Sequence, residues 1–368
     1  MRVTKLALTN FRSYKNLELE FGAGPITFIG NNGAGKTNVA EALIYLSFLS
    51  SHRVSTNAPL IHLGEEQAII RAEIERDGRA LQVDLEINAN KANRARLNQN
   101  PTKSQREILG ALQVIYFSPE DLDLVRGEPT DRRDFLDKLL ITRSPRLAGV
   151  IADYERVVKQ RNTLLKTRAP ESALIPWTEQ IIKFGAELSA ERVGLVEVLN
   201  PFVGANYKNL NEVKTASISY KSSTEGLTRN ADENAALLTA RQVEVARQEM
   251  DRGVSLVGPH RDDLHLQLGD FPAKGYASHG ESWSMAISLR IGSYNLLKSE
   301  GADPILILDD IFAELDTARR AQLTSVTKMA EQTFITAAVE SDLPAELLSE
   351  KFYVTPGSVR RERESEAN

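Results

Sequence analysis

Gly30-Asn31-Asn32-Gly33-Ala34-Gly35-Lys36-Thr37 is the stretch on which the reading of this chain turns. It matches the spacing G-x-x-x-x-G-K-[ST], in which glycines let successive backbone N–H groups wrap a polyphosphate. In that pattern Lys36 neutralises the outer phosphates and Thr37 offers its hydroxyl to Mg2+. The flanks fit. The apolar run Ile26-Thr27-Phe28-Ile29 reads as a strand leading in, and Val39, Ala42, Leu43 and Leu46 recur at helical spacing over 36–49. A helix beginning at the loop would add the positive end of its dipole. A chance match in a glycine-rich turn is the competing reading, and the strand and helix weigh against it.

Farther along, Ile305-Leu306-Ile307-Leu308-Asp309-Asp310 is an apolar run ending in two acids. Beside a phosphate loop, Asp309 would hold the Mg2+ shell and Asp310 would orient or deprotonate an attacking water. Alone, the same pair could cap a helix. Between the two lies Ser278-His279-Gly280-Glu281, ahead of the helical run Trp283-Ser284-Met285-Ala286-Ile287-Ser288-Leu289. Four residues of this kind also form a capping box, with the serine at the N-cap and the acid three residues on.

Outward from these motifs, residues 1–30 alternate apolar and polar positions as strands do. Two alternating runs over 66–87 flank Asp77-Gly78, which suits a tight hairpin. From about 130 to 250 the pattern is helical, with Phe135, Leu139, Tyr154, Val157, Leu164 and Leu165, and is expected to break at Pro170, Pro176 and Pro201. Strands return after Gly253. The division expected is an ATPase head from 1–120 and 253–359, a helical insertion at 121–252, and a disordered tail at 360–368.

A length of 368 residues suggests two lobes. Hydrophobic residues at 42% and charged residues at 26% are near globular averages, so a folded protein is expected. The N-terminus lacks a signal-peptide core and no run of about 18 apolar residues occurs, so no membrane partner is expected. Zero cysteines exclude thiol chemistry and cysteine-ligated zinc and fit a reducing compartment, with cytoplasm, nucleoid-associated, as the expectation. A net charge of -5 argues against a protein coated in basic charge, so nucleic acid would meet local patches. One candidate is Lys91, Arg94, Arg96, Lys103 and Arg106. The other is Arg143, Arg146, Arg156, Lys159, Arg161, Lys166 and Arg168, which could equally be a solvated helix face.

In the order phosphate loop, Ser278–Glu281 tetrapeptide and paired acids, the motifs resemble the Walker A, signature and Walker B elements of ABC/SMC-type ATPases. Leu8-Thr9-Asn10-Phe11-Arg12-Ser13-Tyr14, Phe117-Ser118-Pro119-Glu120-Asp121-Leu122 and Val257-Gly258-Pro259-His260-Arg261-Asp262-Asp263-Leu264 resemble the RecF family. The likeness spans nearly the whole chain. It implies an α/β fold: a P-loop ABC/SMC-type ATPase head with a mostly helical inserted arm lobe and no long coiled coil. ATP and Mg2+ are the implied cofactors.

The resemblance also implies roles. Ser278 and Gly280 would act in trans, capping the γ-phosphate held by a second subunit, with Asp316 in a D-loop at the seam of an ATP-dependent homodimer. Arg12 and Ser13 would approach the nucleotide, with Asn38 beside Thr37, and Arg53 matches an arginine that couples ATP to DNA; either arginine could instead be a solvated charge. Thr336 stands where many ABC proteins have a switch histidine, which implies slow turnover, and near Pro119 and Glu120 no Q-loop glutamine is assigned. The implied partners are double-stranded DNA and ds/ss junctions, single-stranded DNA weakly, RecR and RecO, and RecA indirectly, through loading at gaps. A P-loop ATPase of another ABC-type assembly, not acting on DNA, is the alternative.

Overall fold

The structure is a computed structural model and describes residues 1–210 and 213–362. The chain divides into two units, Met1–Asp121 with Leu289–Asn368, and Leu122–Ser288. In chain order the first opens with β1 (Arg2–Phe11), β2 (Tyr14–Glu20), β3 (Gly24–Ile29), α1 (Lys36–Phe48), β4 (Gln67–Arg76), β5 (Arg79–Asn88), β6 (Arg94–Leu97), β7 (Asn100–Pro101) and β8 (Val114–Phe117). The second carries α2 (Leu122–Arg126), α3 (Pro129–Arg143), α4 (Leu147–Lys166), α5 (Glu171–Leu210), β9 (Ala216–Lys221), α6 (Ala231–Arg252), β10 (Asp263–Leu268), β11 (Phe271–Pro272) and α7 (Ala273–Tyr276). Helix α8 (His279–Ser299) crosses the division. The first unit then continues with β12 (Ile305–Asp309), α9 (Thr317–Thr327), β13 (Gln332–Ala337), β14 (Glu350–Thr355) and β15 (Ser358–Arg361).

The first unit is built on two six-stranded sheets. One is antiparallel, ordered β2-β1-β4-β5-β6-β7. Its strands bury every second residue, as Ala68, Ile70, Ala72 and Ile74 do on β4. The expected hairpin closes with Arg76 opposite Arg79, and Asp77 (φ 51°) and Gly78 (φ 73°) both take the left-handed conformation that a two-residue turn needs. The other sheet is ordered β15-β14-β3-β13-β12-β8 and is parallel except for β15. Its central strands are buried along their whole length, which is why 305–309 reads as a continuous apolar run. Phe21, Phe28, Phe334 and Phe352 interlock β3, β13 and β14, with ring centroids 5.0 Å apart for Phe21 and Phe334 and 5.2 Å for Phe28 and Phe352.

The second unit is mostly helical and also holds the three-stranded sheet β11-β10-β9. Its longest helix, α5, spans 40 residues with Pro176 and Pro201 inside, where breaks were expected; only Pro170 lies outside, immediately before it. Each proline removes one helical donor, and a helix packed along its length on α4, α6 and β9 survives that loss. No long coiled coil occurs among the described residues.

Two boundaries differ from the sequence reading. β10 bonds β9 through Asp263–Leu268, and Arg132 on α3 forms a bidentate ion pair with Asp263 at 2.7 and 2.9 Å. These contacts keep the strand after Gly253 in the second unit, so the return falls at Leu289. At the C-terminus, Arg360 and Arg361 belong to β15 and pair with Tyr353 and Phe352, so order continues into the expected tail; residues 363–368 lie outside the described residues. No described helix is long and apolar enough to cross a membrane.

Candidate nucleotide-binding site

The site lies at the carboxyl ends of β3, β13 and β12, where an open parallel sheet leaves room for a ligand. Residues 30–35 leave β3 and turn into α1. A Cβ on Gly30 would stand 2.3 Å from the Val354 carbonyl oxygen, so the loop runs against β14 at a distance no side chain allows. Gly35 has φ +113°, and a Cβ there would meet the Tyr14 hydroxyl at 2.8 Å and Ser13 Oγ at 2.9 Å. Tyr14 holds the turn by donating to the Gly35 carbonyl at 3.0 Å, and burial pushes its phenol up to about 12. Gly35 is the N-cap of α1 and provides no side-chain cap. Helix α1 is buried on nearly every side rather than along one stripe, Glu41 included.

Lys36 Nζ donates to the Gly30 carbonyl at 2.8 Å and lies 3.7 Å from Asp310 Oδ2. Thr37 Oγ1 donates to Asp309 Oδ1 at 3.0 Å, and Thr336 Oγ1 donates to the same oxygen at 2.6 Å. Thr336 also accepts from the Asp310 N–H at 2.9 Å. It therefore fixes both acids from the neighbouring strand. Burial raises the Asp309 carboxyl to about 6, against the pull of the Thr336 and Thr37 hydroxyls. Asp310 takes a left-handed φ of 49°, a conformation aspartate tolerates better than most residues. Asn32, Gly33, Lys36, Thr37, Asp310 and Thr336 line one cavity of about 350 Å³.

Gly30, Asn31 and Ala34 shape the loop, and Asn38 lines the cavity while donating to Ser13 Oγ at 2.9 Å. Arg12 and Ser13 form the two-residue turn between β1 and β2, where Arg12 has a φ of 54°. The Arg12 guanidinium is not part of the cavity wall: Nε and Nη2 bind the Glu41 carboxylate at 2.7 and 2.5 Å. Arg53 does reach the wall. Asp316 caps α9, accepting from the Arg319 N–H at 3.0 Å.

In the second unit Ser278 and Glu281 make the reciprocal capping box. The Ser278 N–H donates to Glu281 Oε2 at 2.9 Å and the Glu281 N–H to Ser278 Oγ at 3.2 Å. Lys214 pairs with Glu281 at 2.6 Å, and these bonds hold that carboxyl down at about 2. Gly280 follows in the first turn of α8. Of the second basic stretch, Arg161 is buried against Glu249 at 2.6 Å, so it is no surface cation.

Sequence reasoning passed over Glu41 and Asp342. Asp342 lines the cavity from a 3-10 turn that no motif marks. Glu41 is fully buried among apolar neighbours on α1, and an acid inside so apolar a helix was the signal available.

Residues 2–353 match the family model described as RecF/RecN/SMC N terminal domain. The chain is 48% identical to the DNA replication and repair protein RecF of Streptomyces avermitilis, over 98% of this chain and 100% of that one. It is 47% identical to RecF of Nocardioides sp., over 99% of this chain and 100% of the relative. Among solved structures, the recombination mediator protein RecF-ATP in the RecFOR pathway superposes with a TM-score of 0.89 at 26% identity, covering 98% of this chain and 97% of that chain. An Smc head bound to the C-winged helix domain of ScpA, at 16% identity and a TM-score of 0.57, shares the fold over 100% of this chain and 98% of that one. With its P-loop head, inserted lobe and full-length likeness to these relatives, the chain belongs to the RecF family within the RecF/RecN/SMC ATPases.

Proposed function

We propose that this chain is an ATP-switched DNA-binding protein of replication and recombinational repair. On this reading it closes as a homodimer around two ATP–Mg2+ and binds duplex DNA and ds/ss junctions, single strands only weakly. It would act with RecO and RecR to help load RecA at gaps. The single observation that carries the nucleotide part is the joining of Thr37, Asp309, Thr336 and Asp310 beside the Lys36 ammonium. The relatives named DNA replication and repair protein RecF and the solved recombination mediator RecF-ATP of the RecFOR pathway support the role in replication and repair and the pairing with RecO and RecR.

Each residue then has a task. The loop N–H groups and Lys36 hold the phosphates, and Thr37 with Asp309 supplies the hard oxygens that suit Mg2+. Asp310 orients or deprotonates water. Ser278 and Gly280 serve the phosphate on a second copy, and Asp316 lies at the seam. Turnover is slow on this reading, because the Thr336 hydroxyl is committed to Asp309 and Asp310 and is no base. Light scattering with ATPγS and Mg2+, with and without a gapped duplex, tests it. The dimer is expected to form with nucleotide, to be favoured further by DNA, and to be lost in Lys36→Ala. A monomer indifferent to both ligands overturns the proposal.

A further inference from the structure

Glu41 on α1 is a fully buried carboxylate that gathers groups from separate segments. Glu41 Oε1 accepts from Arg12 Nη2 and Ser51 Oγ, each at 2.5 Å. Glu41 Oε2 accepts from Arg12 Nε at 2.7 Å and faces Arg53 Nη1 at 3.7 Å. Ser51 Oγ in turn receives the Arg53 N–H at 3.0 Å and the Val54 N–H at 3.2 Å, so the segment after α1 hangs on this acid. Arg53 Nη1 also donates to Asn38 Oδ1 at 3.4 Å, and Asn38 is bonded to Ser13.

The two arginines are held unequally. Arg12 makes a bidentate pair with its side chain 15% exposed, the strong geometry for a guanidinium and a carboxylate. Arg53 is 41% exposed, reaches Glu41 only at 3.7 Å, and lines the cavity beside Lys36 and Thr37. A polyphosphate in that cavity offers Arg53 several oxygens for bidentate binding. The long contact is the one it can displace.

We infer that Glu41 is a positioning residue that anchors Arg12 permanently and holds Arg53 in reserve, releasing Arg53 to the polyphosphate when a nucleoside triphosphate binds. The inference rests on the nucleotide-binding reading above. Asn38, bonded to both Arg53 and the Ser13 turn, then carries the exchange to the β1–β2 hairpin.

A double-mutant cycle tests this, with the dissociation constants of ATPγS–Mg2+ and ADP–Mg2+ measured by calorimetry on the full chain, in wild type, E41Q, R53Q and the double variant. Removing the competing carboxylate is expected to tighten ATPγS about threefold to fivefold while Arg53 is present, the scale of a partly exposed ion pair. In the R53Q background the same change is expected to do nothing, and ADP is expected to respond less than ATPγS. Should E41Q fold poorly, Glu41→Asp serves: the shorter acid gives up the 3.7 Å contact first, and the same sign is expected. Equal shifts in both backgrounds, weakening in both, or no shift at all would reduce Glu41 to a structural anchor and overturn the inference. Wild-type protein that binds no ATPγS would instead sink the nucleotide-binding reading itself.

Discussion

The phosphate cavity of the first unit and the polar web of the second both set cations beside acids, yet they hold them differently. In the web every strong group is spent. Arg192 binds Asp137 at 2.8 and 2.7 Å and the Pro259 carbonyl at 2.7 Å, while Asp262 accepts from Tyr220 at 2.7 Å and from the Ser222 hydroxyl and Ser223 N–H at 2.9 Å. Tyr154 and His260 close it with a 2.6 Å bond. In the cavity Lys36 has a carbonyl at 2.8 Å and, among the described residues, no acid nearer than Asp310 at 3.7 Å, and Arg53 is held as loosely. A cation with weak partners is ready for a ligand, and one with saturated partners is part of the frame.

The largest test of that distinction is Arg192→Ala. Leaving Asp137, its side chain 15% exposed, without its partner is expected to cost about 2–4 kcal/mol of stability, below the full penalty of a wholly buried charge and read as a lower urea midpoint. Nucleotide affinity of the folded fraction is expected to stay at the wild-type value. A variant with unchanged stability but impaired ATPγS binding would erase the contrast between frame and site.

The web also predicts a pH response. Burial holds the His260 ring at about 4, reinforced by Arg261, Arg133 and Arg161 and opposed by its bond to the Ser255 carbonyl. The ring is neutral in both folded and unfolded chains above about pH 6.5. Below that the unfolded chain takes up a proton that the folded one refuses, so stability is lost as pH falls from about 6.5 toward 4. Between pH 7 and 5 this group alone should remove about 2 kcal/mol. The unfolding free energy lost between pH 7 and pH 5 is expected to be larger in wild type than in His260→Gln by that amount, and equal losses would show that His260 stays out of the titration.

How much of this was legible follows from how local each feature is. The phosphate loop was legible because eight consecutive residues and their flanks contain the whole turn, with Gly30 and Gly35 required by the approach of Val354 and Tyr14. The head and inserted lobe were legible from the change of hydrophobic period. Pro176 and Pro201 misled because packing on both sides of α5 outweighs a lost hydrogen bond. The return to the head was placed too early because β10, although a strand, pairs with β9, and pairing partners are not written in a strand. Arg161 read as a surface cation for the same reason: Glu249, its partner, is 88 residues away.

The smallest expected effect concerns the two basic stretches, which repeat the contrast on the surface. Lys91, Arg94, Arg96, Lys103 and Arg106 are all exposed, and none makes an ion pair among the described residues. In the other stretch Arg146 binds Glu187 and Glu191 at 2.5 and 3.0 Å, and Arg156 binds Asp153 at 3.1 Å. A phosphate recruits an unpaired cation directly, whereas a paired one must first give up its acid. Replacing Arg94 and Arg96 by Gln should therefore flatten the dependence of log K for duplex DNA on log salt by about 1 per residue, uniformly across sequences. Arg156→Gln should leave that slope alone. If the two substitutions exchanged effects, paired and unpaired cations would not be the distinction that matters on this surface, and the stretch on the inserted lobe would be the one that meets DNA.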